Sequence, residues 1–202
     1  MLAGFEDLSE GEIRLEGKVV SNKAKNLYVP PEHRNLGMVF QAFAVWPHLN
    51  VFDNVAFPLQ VQKRPKAEIE ERVNLALKQT NLLDQAKVFP SDLSGGEQQR
   101  IALARSIVVN PGILLLDEPL SNLDPKLRES MRFEIKRLQK EYNFTIVFVT
   151  HDQSEALALS DRLLVMNKGE IIQIGTPQEL YNKPVSLFVH NFLGESNFTK
   201  VE

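Results

Sequence analysis

Two short segments carry residue types that could bind a phosphate group and a metal ion. The first, Leu93–Arg100, places a serine, two glycines and a glutamate at the start of a helical pattern. Free backbone N–H groups at a helix N-terminus attract anions, and glycines allow a phosphate to approach the backbone closely. We therefore expect Ser94, Gly95 and Gly96 to form a phosphate-contacting loop, in which Glu97 is the acid that completes the helix cap. A plain capped loop is the alternative, since Ser-Gly-Gly alone is common, but the full octapeptide is far more specific.

The second segment, Ile113–Pro119, places two acids directly after four apolar residues. In open α/β sheets, ligands bind beyond the carboxyl ends of the strands, and buried acids are costly without a partner. Asp117 is predicted to hold Mg²⁺, directly or through water, and Glu118 to accept a proton from an attacking water. The alternative is a strand that ends at an ordinary acidic turn.

Two further side chains follow predicted strands and could act at the same edge of a sheet. His151 comes directly after a buried apolar run, where a neutral imidazole could hydrogen-bond a γ-phosphate. Gln41 closes the segment 36–40, and its amide oxygen could contact a metal ion or its water. A lone histidine is more often structural, and the chain's other histidines, His33, His48 and His190, keep that interpretation.

Hydrophobic periodicity predicts the elements that must position these residues. Strands are predicted over 113–116, 145–150 and 162–166, and a short apolar run over 36–40. A hairpin is predicted over 11–20, with its turn at Gly17-Lys18. A second turn, at 167–169, leads into the apolar segment 171–174. Helices are predicted over 67–80, 94–109, 125–142 and 154–160, the first burying Ile69, Val73, Leu75, Ala76 and Leu77. Ser94 and Glu97 match a capping box. This order predicts an α/β core with a mostly parallel sheet over residues 1–41 and 111–202, interrupted by a helical subdomain over 42–110.

Composition narrows the class of protein further. The chain has 202 residues, 43% of them hydrophobic, which is enough for one well-packed domain. With a net charge of −3 and no basic stripe, nucleic acid is not an expected partner. Without cysteine, neither a disulfide nor a thiolate metal site can form. The apolar runs are too short to cross a bilayer and no signal peptide is evident, so we expect a soluble intracellular protein.

Together these segments resemble the nucleotide-binding subunit of an ATP-binding cassette transporter along nearly the whole chain. Five matches carry the resemblance: the Q-loop Val39–Gln41, the signature loop Leu93–Arg100, the Walker B strand Ile113–Pro119, the D-loop Ser121–Asp124 and the switch histidine His151. The finer likeness is to importers of maltose, polyamines, sulfate and ferric iron, through residues 31–34, 46–49 and 175–181. Residues 44–47 favour iron or polyamine among these solutes.

The resemblance implies a P-loop NTPase-like fold, ATP and Mg²⁺ as cofactors, and hydrolysis of ATP. Glu118 and His151 would be catalytic, Asp117 and Gln41 would hold Mg²⁺, and Asp124 would join the signature loop at the nucleotide. The implied partners are a second ATPase subunit in a head-to-tail dimer, transmembrane permease subunits and, indirectly, an extracytoplasmic solute-binding protein. The implied location is peripheral, at the cytoplasmic face of the plasma membrane, with the permease contacting residues from Gln41 onward, including 43–57.

The sequence also departs from the family pattern. No Gly-x-x-x-x-Gly-Lys-Ser/Thr motif is present, and Gly11–Val19 fails because its spacing is one residue too long and it ends without a hydroxyl. We therefore expect a fragment that begins near the end of the P-loop helix, lacks the family branch's β-rich regulatory domain and binds ATP poorly by itself. The alternative is a non-hydrolytic partner, or a remnant, that supplies only the signature loop in trans. A soluble cassette protein of DNA repair or translation is disfavoured by the absence of long heptads and of a second cassette.

Overall fold

The structure is a computed structural model and describes residues 1–194. The strands are β1 Glu12–Leu15, β2 Lys18–Asn22, β3 Leu27–Tyr28, β4 Leu36–Val39, β5 Ile113–Asp117, β6 Thr145–Val149, β7 Leu163–Asn167 and β8 Glu170–Gly175. The α-helices are α1 Val51–Val61, α2 Lys66–Gln79, α3 Gly95–Ile107, α4 Pro125–Tyr142, α5 Gln153–Leu159, α6 Pro177–Asn182 and α7 Leu187–Leu193. The chain forms two compact units, Met1–Val147 and Phe148–Glu202. The predicted division at 41/42 and 110/111 stays a prediction.

The N-terminal sheet confirms the predicted hairpin. Strands β1 and β2 pair antiparallel, and β2 also pairs with β3. The turn is formed by Glu16 and Gly17, which have φ angles of 49° and 79°, rather than by Gly17 and Lys18 as predicted. Two successive positive φ angles are typical of the tight turns that match the twist of a hairpin.

The central sheet has the order β4-β5-β6, and its β4–β5 pair is parallel, in register from Leu36 opposite Ile113 to Val39 opposite Leu116. Because parallel strands end at the same edge of a sheet, this register brings Gln41 and Glu118 to one place. Gly37 in β4 allows α3 to lie close, since a Cβ there would be 2.6 Å from the carbonyl oxygen of Ser106.

The helices α1, α2 and α3 confirm the helical character predicted after residue 42, although residues 42–50 form a loop rather than a helix. Their packed face is apolar and includes Val55, Leu59, Val73, Leu77 and Ile101, all completely buried. Leu75 was predicted on the buried face of α2, and this prediction is wrong because its side chain is 52% exposed. The buried stripe of α2 follows Val73, Ala76 and Leu77 instead.

Helix α4 has the predicted bounds, Pro125–Tyr142. Asp124 caps its first turn, Pro125 fits the first helical position, and Asn143 ends it in the left-handed conformation. Strand β6 then begins with the Thr145 N–H donating to the Gly112 carbonyl at 3.2 Å. The prediction of a fully buried strand here is wrong: β6 lies at the end of the strand order, and none of its residues is buried.

Within its described residues, 148–194, the second unit contains the hairpin β7–β8 and three short helices. Its described core is apolar and consists of Leu163, Val165, Leu180, Val189 and Leu193. The predicted strand over 162–166 and the turn at 167–169 are confirmed within one residue. Among residues 1–194, no helix combines the length and apolar character needed to span a membrane.

Candidate functional site

The ends of β4 and β5 bring the predicted Gln41 and Glu118 into contact. The Gln41 side-chain amide donates to the Glu118 carboxylate at 3.3 Å. Asn122 donates from its side chain to the backbone carbonyl of Gln41 at 3.0 Å, and the Ser121 hydroxyl donates to the carbonyl of Glu118 at 2.9 Å. Asp117 ends β5 with its side chain exposed. Hydrogen bonds therefore connect the turn after β5, which contains Glu118 and Asn122, to Gln41 at the end of β4.

The oxygen atoms at this edge are those that a hard cation prefers. Mg²⁺ in phosphate-binding sites takes one or two carboxylates from the protein and its remaining ligands from phosphates and water. Asp117 and the amide oxygen of Gln41 fit that donor set. Within the described residues, no three histidine, aspartate or glutamate side chains could hold a metal ion by themselves. A cation here would therefore depend on a phosphate ligand for the rest of its coordination.

The predicted capping box at the start of α3 is present. The Ser94 N–H donates to the Glu97 carboxylate at 2.8 Å, the Ser94 hydroxyl donates to it at 2.6 Å, and the Glu97 N–H donates to the Ser94 hydroxyl oxygen at 3.4 Å. The side chain of Gln85 donates to the other Glu97 oxygen. The Ser94 bonds, followed by the Gln85 bond, lower the pKa of Glu97 because they favour its charged form.

The two glycines of this loop have different surroundings. Gly95 is exposed, as is Ser94, whereas Gly96 is buried. A Cβ on Gly96 would lie 2.4 Å from a methyl carbon of Leu127 in α4, which is closer than carbon atoms approach. A side chain at position 96 would therefore have to displace Leu127. The phosphate contacts of Ser94, Gly95 and Gly96 stay predictions.

The loop 42–50 is held by two polar side chains that the sequence analysis missed. Asn54 is completely buried in α1; its side-chain amide donates to the carbonyls of Trp46, Leu49 and Asn50, and its side-chain oxygen accepts from the Trp46 N–H at 2.8 Å. Arg105 in α3 donates to the Ala44 carbonyl at 2.8 Å, and burial lowers its pKa. Arg105 is a charged residue within the largely apolar stretch 101–107 of its helix, and that contrast is the signal that could have revealed it. Asn54 follows Asp53, and the local sequence carries no such signal for it.

Two predicted site residues have local roles in the structure. The Asp124 carboxylate accepts from the Leu127 N–H at 3.1 Å, which makes it the N-cap of α4. His151 is exposed and lies in the second unit, between β6 and α5. Next to it, Asp152 caps α5 by accepting from the Glu155 N–H at 3.1 Å. The roles of Asp124 and His151 at a nucleotide stay predictions.

The fold and the order of these segments along the chain match a known class of protein. Residues 1–121 match the family described as ABC transporter. The structure superimposes on cbiO1 of Clostridium perfringens, part of the ABC transporter complex cbiONQ, with a TM-score of 0.80 and 30% identity over 90% of this chain and 72% of that one. The chain belongs to the ABC transporter family.

Two curated relatives of the chain are named as import ATP-binding proteins. The chain is 53% identical to the spermidine/putrescine import ATP-binding protein PotA of Marinobacter nauticus over 198 residues, which cover 98% of this chain and 52% of that protein. It is 47% identical to the trehalose/maltose import ATP-binding protein MalK of Thermococcus litoralis, over 96% of this chain and 52% of that protein. The chain thus spans about half the length of the curated relatives it matches.

Proposed function

We propose that this chain is an ATP-binding subunit that energises the import of a small solute by an ABC transporter. The observation that carries the proposal is 53% identity over 98% of the chain to a protein named as an import ATP-binding subunit. The site geometry supports it, because Gln41 meets Glu118 at one edge of the sheet and Ser94 and Gly95 are exposed at a helix N-terminus.

The residues divide between two nucleotides in this proposal. Ser94, Gly95 and Gly96, at the N-terminus of α3, contact the γ-phosphate of an ATP held by a second, head-to-tail ATPase subunit. Asp117 and Gln41 would hold Mg²⁺ at the other ATP, and the ion would supply positive charge to neutralise the phosphate oxygens. Glu118 accepts a proton from the attacking water there, and His151 hydrogen-bonds the γ-phosphate.

The proposed partners follow from the same assignment. The region from Gln41 to Phe57, which consists of a loop and the start of α1, contacts the transmembrane permease. A solute-binding protein delivers the cargo outside, so the chain works peripherally at the cytoplasmic face of the membrane. Within this region the rings of Trp46 and Phe57 lie 4.4 Å apart, and Phe57 is 38% exposed. We propose a polyamine as the cargo, since the spermidine/putrescine relative is more similar to this chain than the trehalose/maltose relative.

A second candidate function is supply of the signature loop in trans without hydrolysis by this chain. It is favoured by one contrast: Ser94–Gly96 is complete, whereas the 202 residues contain no P-loop motif. Titration of the 202-residue chain with Mg-ATP tests the role of that motif. We expect no saturation below about 1 mM, which corresponds to about −4 kcal/mol of binding free energy. Micromolar affinity would show that the phosphate cradle is dispensable.

Mixing experiments test the contribution in trans. Full-length PotA of Marinobacter nauticus with its own signature loop disabled should regain ATP hydrolysis when this chain is added. Ser94→Arg should abolish the gain, and Ser91→Arg, at an exposed serine three positions earlier, should preserve it. Equal activity with the two variants would contradict the proposed role of Ser94. The proposed cargo is tested by adding this chain to vesicles that carry the reconstituted permeases and measuring the uptake of labelled putrescine and maltose. Uptake of putrescine would support a polyamine as the cargo, and uptake of maltose alone would contradict it.

A further inference from the structure

Five consecutive residues, 42–46, connect the two parts of the site, and we call them the bridging segment. The residue before it, Gln41, contacts Glu118 through its side chain and Asn122 through its carbonyl. Within the segment, two ring atoms of Phe43 lie 3.7 and 3.8 Å from the position that a Cβ on Gly95 would take. The acidic end of β5 and the first residue of α3 therefore contact neighbouring residues of one short stretch of chain.

Arg105 attaches the bridging segment to α3 at a second point. Its guanidinium donates to the Ala44 carbonyl at 2.8 Å and to the Phe43 carbonyl at 3.4 Å. The same group lies over the indole of Trp46, with its central carbon 4.4 Å from the ring centroid. A planar guanidinium can serve two carbonyls and an aromatic face together, which a lysine ammonium does less well.

The backbone of the bridging segment is held in an unfavourable conformation where Arg105 contacts it. Ala44 has a φ angle of 49°, in the left-handed region that disfavours residues with a Cβ. Such conformations persist where the surrounding contacts determine them. The carbonyl of Ala44 itself accepts the shorter Arg105 bond. On the other side, Asn54 fixes the backbone of Trp46 through both its N–H and its carbonyl.

We propose that Arg105 is a positioning residue that holds the bridging segment against α3 and thereby couples the placement of Gln41 beside Glu118 to the placement of the signature loop. Its effect on ATP turnover rests on the proposed function, whereas the coupling is a property of this chain alone. The residue touches neither a phosphate nor a reacting atom in this assignment. It acts through Phe43, Ala44 and Trp46.

The composition of the chain makes the coupling directly measurable. Trp46 is the only tryptophan and there is no cysteine, so Ser91→Cys gives a unique attachment point for an energy-transfer acceptor near the signature loop. In Arg105→Gln we expect acrylamide quenching of Trp46 to rise about twofold and the donor–acceptor distance distribution to broaden, because the segment is released locally. Arg105→Lys should give intermediate values, since it keeps the charge but lacks the planar fork.

The matched control is Arg64→Gln, which removes an exposed arginine that pairs only loosely with Glu68, at 3.8 Å. It should leave both Trp46 signals unchanged. If Arg105→Gln loses its helical circular dichroism signal, the coupling is tested by comparing Trp46 quenching and energy transfer in Arg105→Lys with those in Arg64→Gln. Unchanged quenching and energy transfer in a folded Arg105 variant would overturn the coupling.

Turnover in the mixture with signature-disabled PotA tests the functional consequence. We expect Arg105→Gln to lower kcat about tenfold and to change KM for ATP by less than about threefold, because a misplaced signature loop weakens closure rather than first binding of ATP. Altered Trp46 signals with an unchanged kcat would overturn the positioning role. If the unmodified chain fails to restore turnover at all, the proposed function fails, and the Trp46 measurements still decide the coupling.

Discussion

The side-chain amide of Gln41 donates to the carboxylate of Glu118 at 3.3 Å, across 77 positions of sequence. The parallel register of β4 and β5 makes this contact possible, because it ends both strands at the same level. Glu118 has a φ angle of 45°, which is unfavourable for a residue with a Cβ. Backbone strain of this kind clusters at functional sites, where geometry matters more than stability.

The strain at Glu118 should be measurable by comparing two truncations. Glu118→Ala and Glu118→Gly both remove the carboxylate, but only glycine relieves the positive φ. We expect the glycine variant to have a free energy of unfolding about 1 kcal/mol higher than the alanine variant. Urea unfolding of the two proteins measures this difference. Equal stabilities would show that the position is not strained.

Gly96 should tolerate a methyl group poorly because Leu127 occupies the space that its Cβ would need. Gly96→Ala is expected to lower the free energy of unfolding by about 1–3 kcal/mol. Gly95→Ala is the matched control, since its Cβ would meet only the Phe43 ring, at 3.7 Å, and should be close to neutral. Combining Gly96→Ala with Leu127→Ala should recover part of the loss. Thermal unfolding of these three variants and of the unmodified chain tests this, and a Gly95→Ala variant as unstable as Gly96→Ala would argue against the packing explanation.

The capping box predicts an acid-dependent stability at the start of α3. Hydrogen bonds from Ser94 hold the pKa of Glu97 below its ordinary value of 4.5. This contribution is therefore fully present above 4.5 and is lost as the pH falls through the lower pKa of the folded state. Glu97→Gln can keep the cap without titrating. When the pH is lowered from 7 to about 3, the urea midpoint of the unmodified chain should fall more than the urea midpoint of Glu97→Gln. A parallel loss in both proteins would contradict this role.

The ion pair between Arg100 in α3 and Glu134 in α4 predicts the opposite pH dependence. Burial raises the pKa of Glu134 although Arg100, at 3.1 Å, opposes the shift. With a raised pKa, the contribution to stability is present below the ordinary value and is lost as the pH rises through the folded-state pKa. Arg100→Leu should thus lower the free energy of unfolding by about 3 kcal/mol at pH 7. The loss should be smaller near the acid limit of folding, where Glu134 is neutral.

The double variant Arg100→Leu/Glu134→Leu provides the control for the buried charge. It should be more stable at pH 7 than Arg100→Leu alone, because no uncompensated carboxylate remains in the interface. Guanidinium unfolding would mask charge effects, so urea is the denaturant of choice. If the double variant is no more stable than Arg100→Leu, the loss of stability in Arg100→Leu is due to lost packing rather than to an uncompensated charge.

Local patterns predicted the elements of this chain well. The bounds of α4 and the capping box at Ser94 and Glu97 were predictable because each depends on residues within one or two helical turns. The parallel strand β5 was predictable because four successive apolar residues indicate burial on both faces. Family membership also followed from contiguous motifs, since Leu93–Arg100 and Ile113–Pro119 are each specific by themselves.

Contacts between distant segments were not predictable from the same patterns. The bond from Gln41 to Glu118 depends on strand register, and the contacts of Arg105 with Phe43 and Ala44 depend on how α3 lies against a loop 61 or 62 positions away. The exposure of β6 depends on the strand order of the sheet, which periodicity does not contain. Side chains such as Asn54 gain their roles only from this tertiary arrangement.

The packing of Leu127 on Gly96 also changes how sequence variation in this family should be interpreted. A homologue that had lost its affinity for nucleotide would still be under selection to keep glycine at position 96, as long as α4 begins beneath it. A glycine kept at this position is thus not by itself evidence for nucleotide binding, whereas substitutions at Ser94 and Gly95 bear on that chemistry directly. Degenerate members of the family should drift at those two exposed positions first.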